Sequence, residues 1–232
     1  MTTTDVLRLS LEERLRAFRG DGAQLPPELL DVEVRRMDLG EGEDAYVARP
    51  RDWEALREAE ALARRGVPYW AVLWPSGLAL AHAVTSGPSL DGARVLELGC
   101  GLGLPSLAAA RRGASVLATD ASPDAAVFAA HNLALNALTG DVAVASWAEA
   151  ARALADGGPW DLVLAADVLY LKANVESLLR ALPRLLDGGG EAWIADPNRA
   201  GARDFLASAR KRYTLRSDRG KDVSLHRLTP AG

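Results

Sequence analysis

Three groups of residues in this chain are of types and spacings that could do chemistry. They are the stretch ELGCGLG at 97–103, the acid Asp120, and the run DVLY at 167–170. The first sets Glu97 two residues ahead of Gly99, Gly101 and Gly103, directly after the apolar run ARVLEL. Glycines at a strand-to-helix turn let the backbone approach a nucleotide closely, so the question is which nucleotide. A dinucleotide fingerprint reads G-x-G-x-x-G/A, its third small residue allowing helix and strand to pack. Counted from Gly99 the third position is Leu104, and from Gly101 it is Ser106, so neither register fits. A carboxylate at Glu97 would also repel a pyrophosphate. It suits a ligand with a cationic part, an ammonium or a sulfonium, and S-adenosylmethionine (SAM) carries both.

Asp120 lies 120 − 97 = 23 positions after Glu97, at the end of a second apolar run, ASVLATD. In a βαβ unit this is where an acid reaches ribose hydroxyls. The competing reading is a cap on the helix that follows, a role Ser122 also suits. Carboxylates accept hydrogen bonds from hydroxyl and ammonium groups without a metal. One cysteine and three histidines offer no metal-ligand cluster. Cys100, inside the glycine loop, reads as small filler rather than a nucleophile. His131 and His226 read as packed or surface residues, and His82 is not assigned to the pocket.

These residues need elements to hold them. From residue 93 the chain alternates: strand 93–98, helix 104–113 with Pro105 in its first turn, strand 114–120, then a helix capped by Ser122, with Pro123 first and Asp124 favouring its positive end. Strands follow in DVAVAS (141–146), in WDLVLAADVLY and in EAWIADP (191–197), separated by an amphipathic helix in which Pro183 is a kink or a restart. A helix over 199–212 precedes the tail YTLRSDRGKDVSLHRL, which reads as an antiparallel hairpin. The pattern predicts an α/β, Rossmann-like, doubly wound and mostly parallel seven-stranded sheet closed by that hairpin. Residues 1–66 are expected to form an N-terminal extension: a helix with Leu11, Leu15 and Phe18 on one face, a strand pair at 32–40 and 43–50, and a helix over 52–66. Residues 67–232 would then be the SAM-binding domain, with a helix starting near Pro75 and Ser76.

VLELGCGLG, ATD and DLVLAADVLY together resemble the class I (seven-β-strand) SAM-dependent methyltransferases. DVLY is similar to the D-x-x-Y motif of seven-strand protein lysine methyltransferases. With PYWAVLWPSG (68–77) and ADPNRAGARDFL (195–206), the resemblance is to the family of electron transfer flavoprotein β-subunit lysine methyltransferases, over roughly residues 66–210. That likeness implies that Gly99, Gly101 and Gly103 line the methionine end of SAM, with Glu97 near its ammonium group and Asp120 on the ribose. It places Trp147 against the adenine and Trp74 over the cofactor pocket, core packing being the competing role for both. It implies that Asp167 holds an incoming amine in line, capping the strand end or binding SAM being the competing role, and that Tyr170 walls the channel or hydrogen-bonds to the amine.

The remaining numbers narrow the partners. A formal net charge of −4, with basic residues interspersed among acids, argues against nucleic acid. No apolar run has the length of a membrane span, and the first twenty residues resemble neither a signal nor a transit peptide. A cytoplasmic, monomeric enzyme acting on a protein, with the electron transfer flavoprotein β subunit as the implied substrate, is the expectation. A small-molecule N-methyltransferase for amines or a nicotinamide-like ring is the main alternative, with residues 1–65 as its lid. A SAM-binding interaction module and a nicotinamide oxidoreductase come after it.

Overall fold

The computed structural model of the protein describes residues 3–19, 25–146, 159–186 and 189–231. At its centre is a seven-stranded sheet built on β3 (Arg94–Leu98), β4 (Ser115–Asp120), β5 (Asp141–Val144), β6 (Leu162–Ala166), β7 (Glu191–Asp196), β8 (Tyr213–Arg219) and β9 (Ser224–Pro230). Its spatial order is β5-β4-β3-β6-β7-β9-β8. All pairings among the first five are parallel, and β9 runs antiparallel between β7 and β8. The tail hairpin therefore inserts its last strand next to the parallel core. The order reverses at β3, between β4 and β6, and in an open α/β sheet ligands bind at the carboxyl ends of strands beside such a switch.

Side chains alternate across the sheet as a pleat requires. Val95, Leu162, Leu164, Trp193 and Ala195 join one core with α4 (Pro75–Thr85), α5 (Leu104–Arg111) and α6 (Pro123–Leu135). Leu96, Leu98, Val163, Ala165, Ala192 and Ile194 join a second core with α7 (Lys172–Leu185) and α8 (Ala200–Ala209). Burial on both faces explains why these strands read as apolar runs rather than alternating ones. Prolines open α4, α5 and α6, and the Ser122 hydroxyl accepts from Ala125 N at 3.4 Å. Helix α7 is continuous through Pro183 to Leu185.

The N-terminal elements are α1 (Thr3–Arg19), α2 (Pro27–Leu30), the hairpin β1 (Val32–Gly40) with β2 (Glu43–Pro50), and α3 (Trp53–Leu62). Leu11, Leu15, Leu29, Val47 and Leu56 are fully buried in the same core as Leu80, Val95 and Phe128. Phe18, expected beside Leu11 and Leu15, is instead 52% exposed. Two asparagines one turn apart, Asn132 on α6 and Asn136 just past its end, satisfy the free edge of β2. Asn132 accepts from Ala48 N and Asn136 from Tyr46 N, both at 2.8 Å, and each donates back to the carbonyl of the same residue. Asp124, in the first turn of α6 as expected, is also buried against Arg19 of α1, whose Nε donates to it at 2.6 Å. No described helix is long and apolar enough to cross a membrane.

Candidate active site

The carboxyl ends of β3, β4 and β6 open into a pocket of about 440 Å³. Glu97, Gly99 and Gly101 line it from β3 and its loop, Asp120 from β4, Asp167 and Tyr170 from the segment after β6, and Trp74 from the start of α4. Residues separated by as many as 96 positions in sequence (170 − 74) thus converge on one space. Gly103 is not among the lining residues; it is the residue before α5, and a Cβ there would sit 3.2 Å from Ala129 Cβ on α6. Trp147 falls outside the described residues, while its neighbour Ser146 lines the pocket.

Gly99, Gly101 and Gly103 all take positive φ, 68°, 52° and 79°. Such a backbone strains any residue with a Cβ. At Gly101 a Cβ would also lie 3.1 Å from the Trp70 carbonyl oxygen, so the short helical turn at Tyr69–Ala71 packs straight onto the loop. Asp120 ties the loop down from the other side. One of its oxygens accepts from Gly101 N at 3.0 Å and the other from Ser122 N at 2.8 Å. Burial pushes this acid above its ordinary range, against the pull of those N–H groups.

Glu97 is 1% exposed. Its Oε2 accepts from Ser106 N at 2.9 Å and from the Ser106 hydroxyl. Ser106 is the third residue of α5, and Gly103 has no side chain to cap that helix, so Glu97 does it from the neighbouring strand. Burial raises the Glu97 carboxyl to about 8, and the two Ser106 bonds only partly oppose it. Oε1 takes no hydrogen bond from the described residues and is left for a ligand. Cys100 is buried and its thiol is pushed up, which fits a packing role. His82 turns to the hairpin, its Nε2 lying 2.8 Å from Asp38 O.

At the other end of the pocket, Asp167 has φ 57° and is 9% exposed. Its backbone N donates to Ala195 O at 2.9 Å, anchoring the loop to β7. Its Oδ1 accepts from Arg199 Nε at 2.9 Å and from an Arg199 terminal nitrogen at 2.5 Å. The mouth is aromatic. Tyr69 lies 6.4 Å from Trp74 and 6.2 Å from Tyr170 between ring centres, and the two tyrosines are about half exposed. Trp74 Nε1 donates to Tyr69 O at 2.9 Å, which fixes its ring at the rim. Sequence reasoning did not single out Tyr69, Ser106 or Arg199; only their neighbourhood in the quoted segments pointed that way.

The strand order, the switch at β3 and a glycine loop between the buried Glu97 and the half-buried Asp120 fit a class I SAM-dependent methyltransferase, the class to which the matching family and relatives belong. The chain belongs to the lysine methyltransferase family, whose profile matches residues 64–211. It is 38% identical over 136 residues to an electron transfer flavoprotein beta subunit lysine methyltransferase of Danio rerio, covering 57% of this chain and 51% of that protein. It is 32% identical over 183 residues to the protein N-lysine methyltransferase METTL21A of Danio rerio, covering 74% and 82%. The chain spans about half the length of its electron transfer flavoprotein-type relatives. Among solved structures, a T. thermophilus 16S rRNA N2 G1207 methyltransferase in complex with AdoMet and guanosine superposes with a TM-score of 0.65 at 17% identity, over 86% of this chain and 50% of that one. At that identity the likeness concerns the fold.

Proposed function

We propose that the protein is a SAM-dependent protein lysine N-methyltransferase, with the electron transfer flavoprotein β subunit as its first candidate substrate. The observation that carries this reading is a single pocket that joins the glycine loop and its two acids to Asp167 and an exposed aromatic mouth. The residues present fit SAM. Gly99 and Gly101 line the pocket with backbone bare of side chains, Asp120 can accept from ribose hydroxyls, and Glu97 offers a free Oε1 to an ammonium group. Bound there, SAM would supply an electrophilic methyl on a sulfonium, the C–S electron pair leaving with sulfur as the N–C bond forms.

The chain's own residues do the rest. The Tyr69–Tyr170 pair at the mouth gives an aliphatic lysine stem apolar faces to slide along, and such faces tolerate its charge. Asp167 then orients the nitrogen, and holding it in line is worth several kcal/mol (roughly 7 to 11 in ideal cases). The amine must be neutral to react, yet a free lysine has a pKa of about 10.4, so proton loss precedes transfer. The mouth also weighs against a small-molecule enzyme: no described residue before Val67 lines the pocket, so residues 1–65 supply no lid among the described residues. The test is incubation of the chain with tritiated SAM and the β subunit, followed by peptide mapping. Label on a lysine supports the reading. Absence of label there removes that substrate, and absence on every lysine of a soluble-protein extract removes the reaction class.

A further inference from the structure

Arg199 poses a problem for the reaction just described. A lone carboxylate beside an incoming lysine would stabilise the ammonium form, which has no lone pair to attack with. The structure does not leave Asp167 alone: two guanidinium nitrogens reach its Oδ1, at 2.9 and 2.5 Å. Both fall on the same oxygen, so Oδ2 takes no hydrogen bond from the described residues and remains for an amine N–H.

The arginine is held in place by its own surroundings. Its backbone N donates to Asp196 Oδ1 at 2.7 Å, and its neighbour Asn198, at φ 63°, accepts from the Ser224 hydroxyl at 2.7 Å. Two residues later Gly201 lies so near the Asp167–Tyr170 loop that a Cβ would fall 2.2 Å from Leu169 O. Only glycine allows the start of α8 to press directly on this loop. Asn174 on α7 holds the same loop through Val168 O at 3.1 Å. The ion pair thus sits on a backbone braced from β7, β9, α7 and α8.

We propose that Arg199 is a positioning residue that neutralises Asp167, so that the carboxylate orients the lysine amine without trapping it in its charged form. The inference rests on the protein lysine methyltransferase reading. Other titratable groups near Asp167 do not duplicate this role. Asp196, behind Arg199, is itself an acid; Tyr170 and Tyr69 line the mouth with their rings; Glu97 and Asp120, deeper in the same pocket, are acids on the cofactor side. Arg199 is the cation that the structure places on Asp167.

The experiment compares wild type with Arg199→Gln and Arg199→Lys in methyl transfer from tritiated SAM. The acceptor is the electron transfer flavoprotein β subunit, or a soluble-protein extract if that subunit takes no label. Glutamine removes the charge and leaves Asp167 as a bare anion. The ascending limb of kcat should move up by about one pH unit, a tenfold loss along that limb, with recovery at alkaline pH. KM for the acceptor should stay level or fall, because the ammonium form now binds better. Lysine keeps the charge and should restore the wild-type limb. A limb that stays put in Arg199→Gln, with kcat lowered equally at every pH or KM raised, overturns the inference and leaves the lysine reading standing. Wild-type enzyme that labels no lysine in either acceptor overturns the reading and this inference with it. Thermal melts of each variant separate loss of fold from both.

Discussion

Replacing Glu97 by glutamine removes a titration that couples the cofactor pocket to folding. In the folded chain the carboxyl sits at about 8 against an ordinary 4.5. Below pH 4.5 it is neutral in folded and unfolded chains alike; between 4.5 and 8 it is neutral only when folded; above 8 it is ionised in both. Unfolding therefore releases a proton through that window, and Glu97 lowers stability as pH rises through it. From pH 5 to pH 8 the span of about 3 pH units, at about 1.36 kcal/mol each, gives about 4 kcal/mol at most. Glutamine keeps a carbonyl oxygen for the Ser106 N–H and hydroxyl but does not titrate. Urea unfolding of both proteins from pH 5 to pH 9 should show the variant gaining on the wild type up to pH 8, with a constant gap beyond. The same substitution should weaken SAM at pH 8.5 by about tenfold or more, the worth of a hydrogen bond between charged partners. A stability gap that does not change with pH would refute the reasoning, because it would mean that the folded chain already carries Glu97 as an anion.

Gly101→Ala puts a Cβ at φ 52° and 3.1 Å from Trp70 O, so SAM affinity measured by calorimetry should drop at least tenfold, with about 1–3 kcal/mol of stability lost. Asp120→Asn cannot accept from both Gly101 N and Ser122 N and loses a ribose acceptor, so adenosine alone should bind about tenfold more weakly; Glu97→Gln should leave adenosine binding unchanged, since adenosine has no amino-acid end. Equal effects of the two on adenosine would contradict the assigned polarity of the pocket. Arg19→Met strands the buried Asp124 carboxylate and should cost about 3–5 kcal/mol in chemical unfolding, with Asp124→Asn in the same chain recovering part of it.

The centre of the sheet was legible because β3, β6 and β7 are buried on both faces and three of the helices open on residues with one local use. Pro75, Pro105 and Pro123 sit in first turns, and Ser122 caps α6, as their chemistry predicts. The glycine loop was legible for the same reason: positive φ at three alternating positions is a backbone demand that shows in the sequence. Long-range pairing was not legible. Asp124 reads as a helix-dipole acid, and its partner Arg19 stands 105 positions away on a helix whose docking no local pattern specifies. Phe18 fits the apolar stripe of α1 by spacing, yet the stripe that docks is narrower and leaves it exposed. Arg199 lies in a segment whose resemblance was noted, but its hold on Asp167 depends on Gly201 letting α8 press against the loop, a contact between backbones that side-chain patterns do not record.

The proposed reaction brings a cationic ligand and a cationic substrate into one pocket, which calls for acids, but three bare carboxylates in one partly dry space would repel each other and the fold. Each of the three is relieved by a different means. Glu97 is buried deeply enough to carry its proton below about 8 and spends one oxygen capping α5. Asp120 takes two backbone N–H groups, one of them from the loop that it must hold open. Asp167 takes a guanidinium. The differences follow the chemistry expected at each place. An acid that waits for an ammonium ligand can stay neutral until the ligand arrives, and one that reads hydroxyls needs only to be fixed. In the proposed reaction the acid that handles the reacting nitrogen has to be neutralised from outside, because any proton it held in place on that nitrogen would stop the transfer.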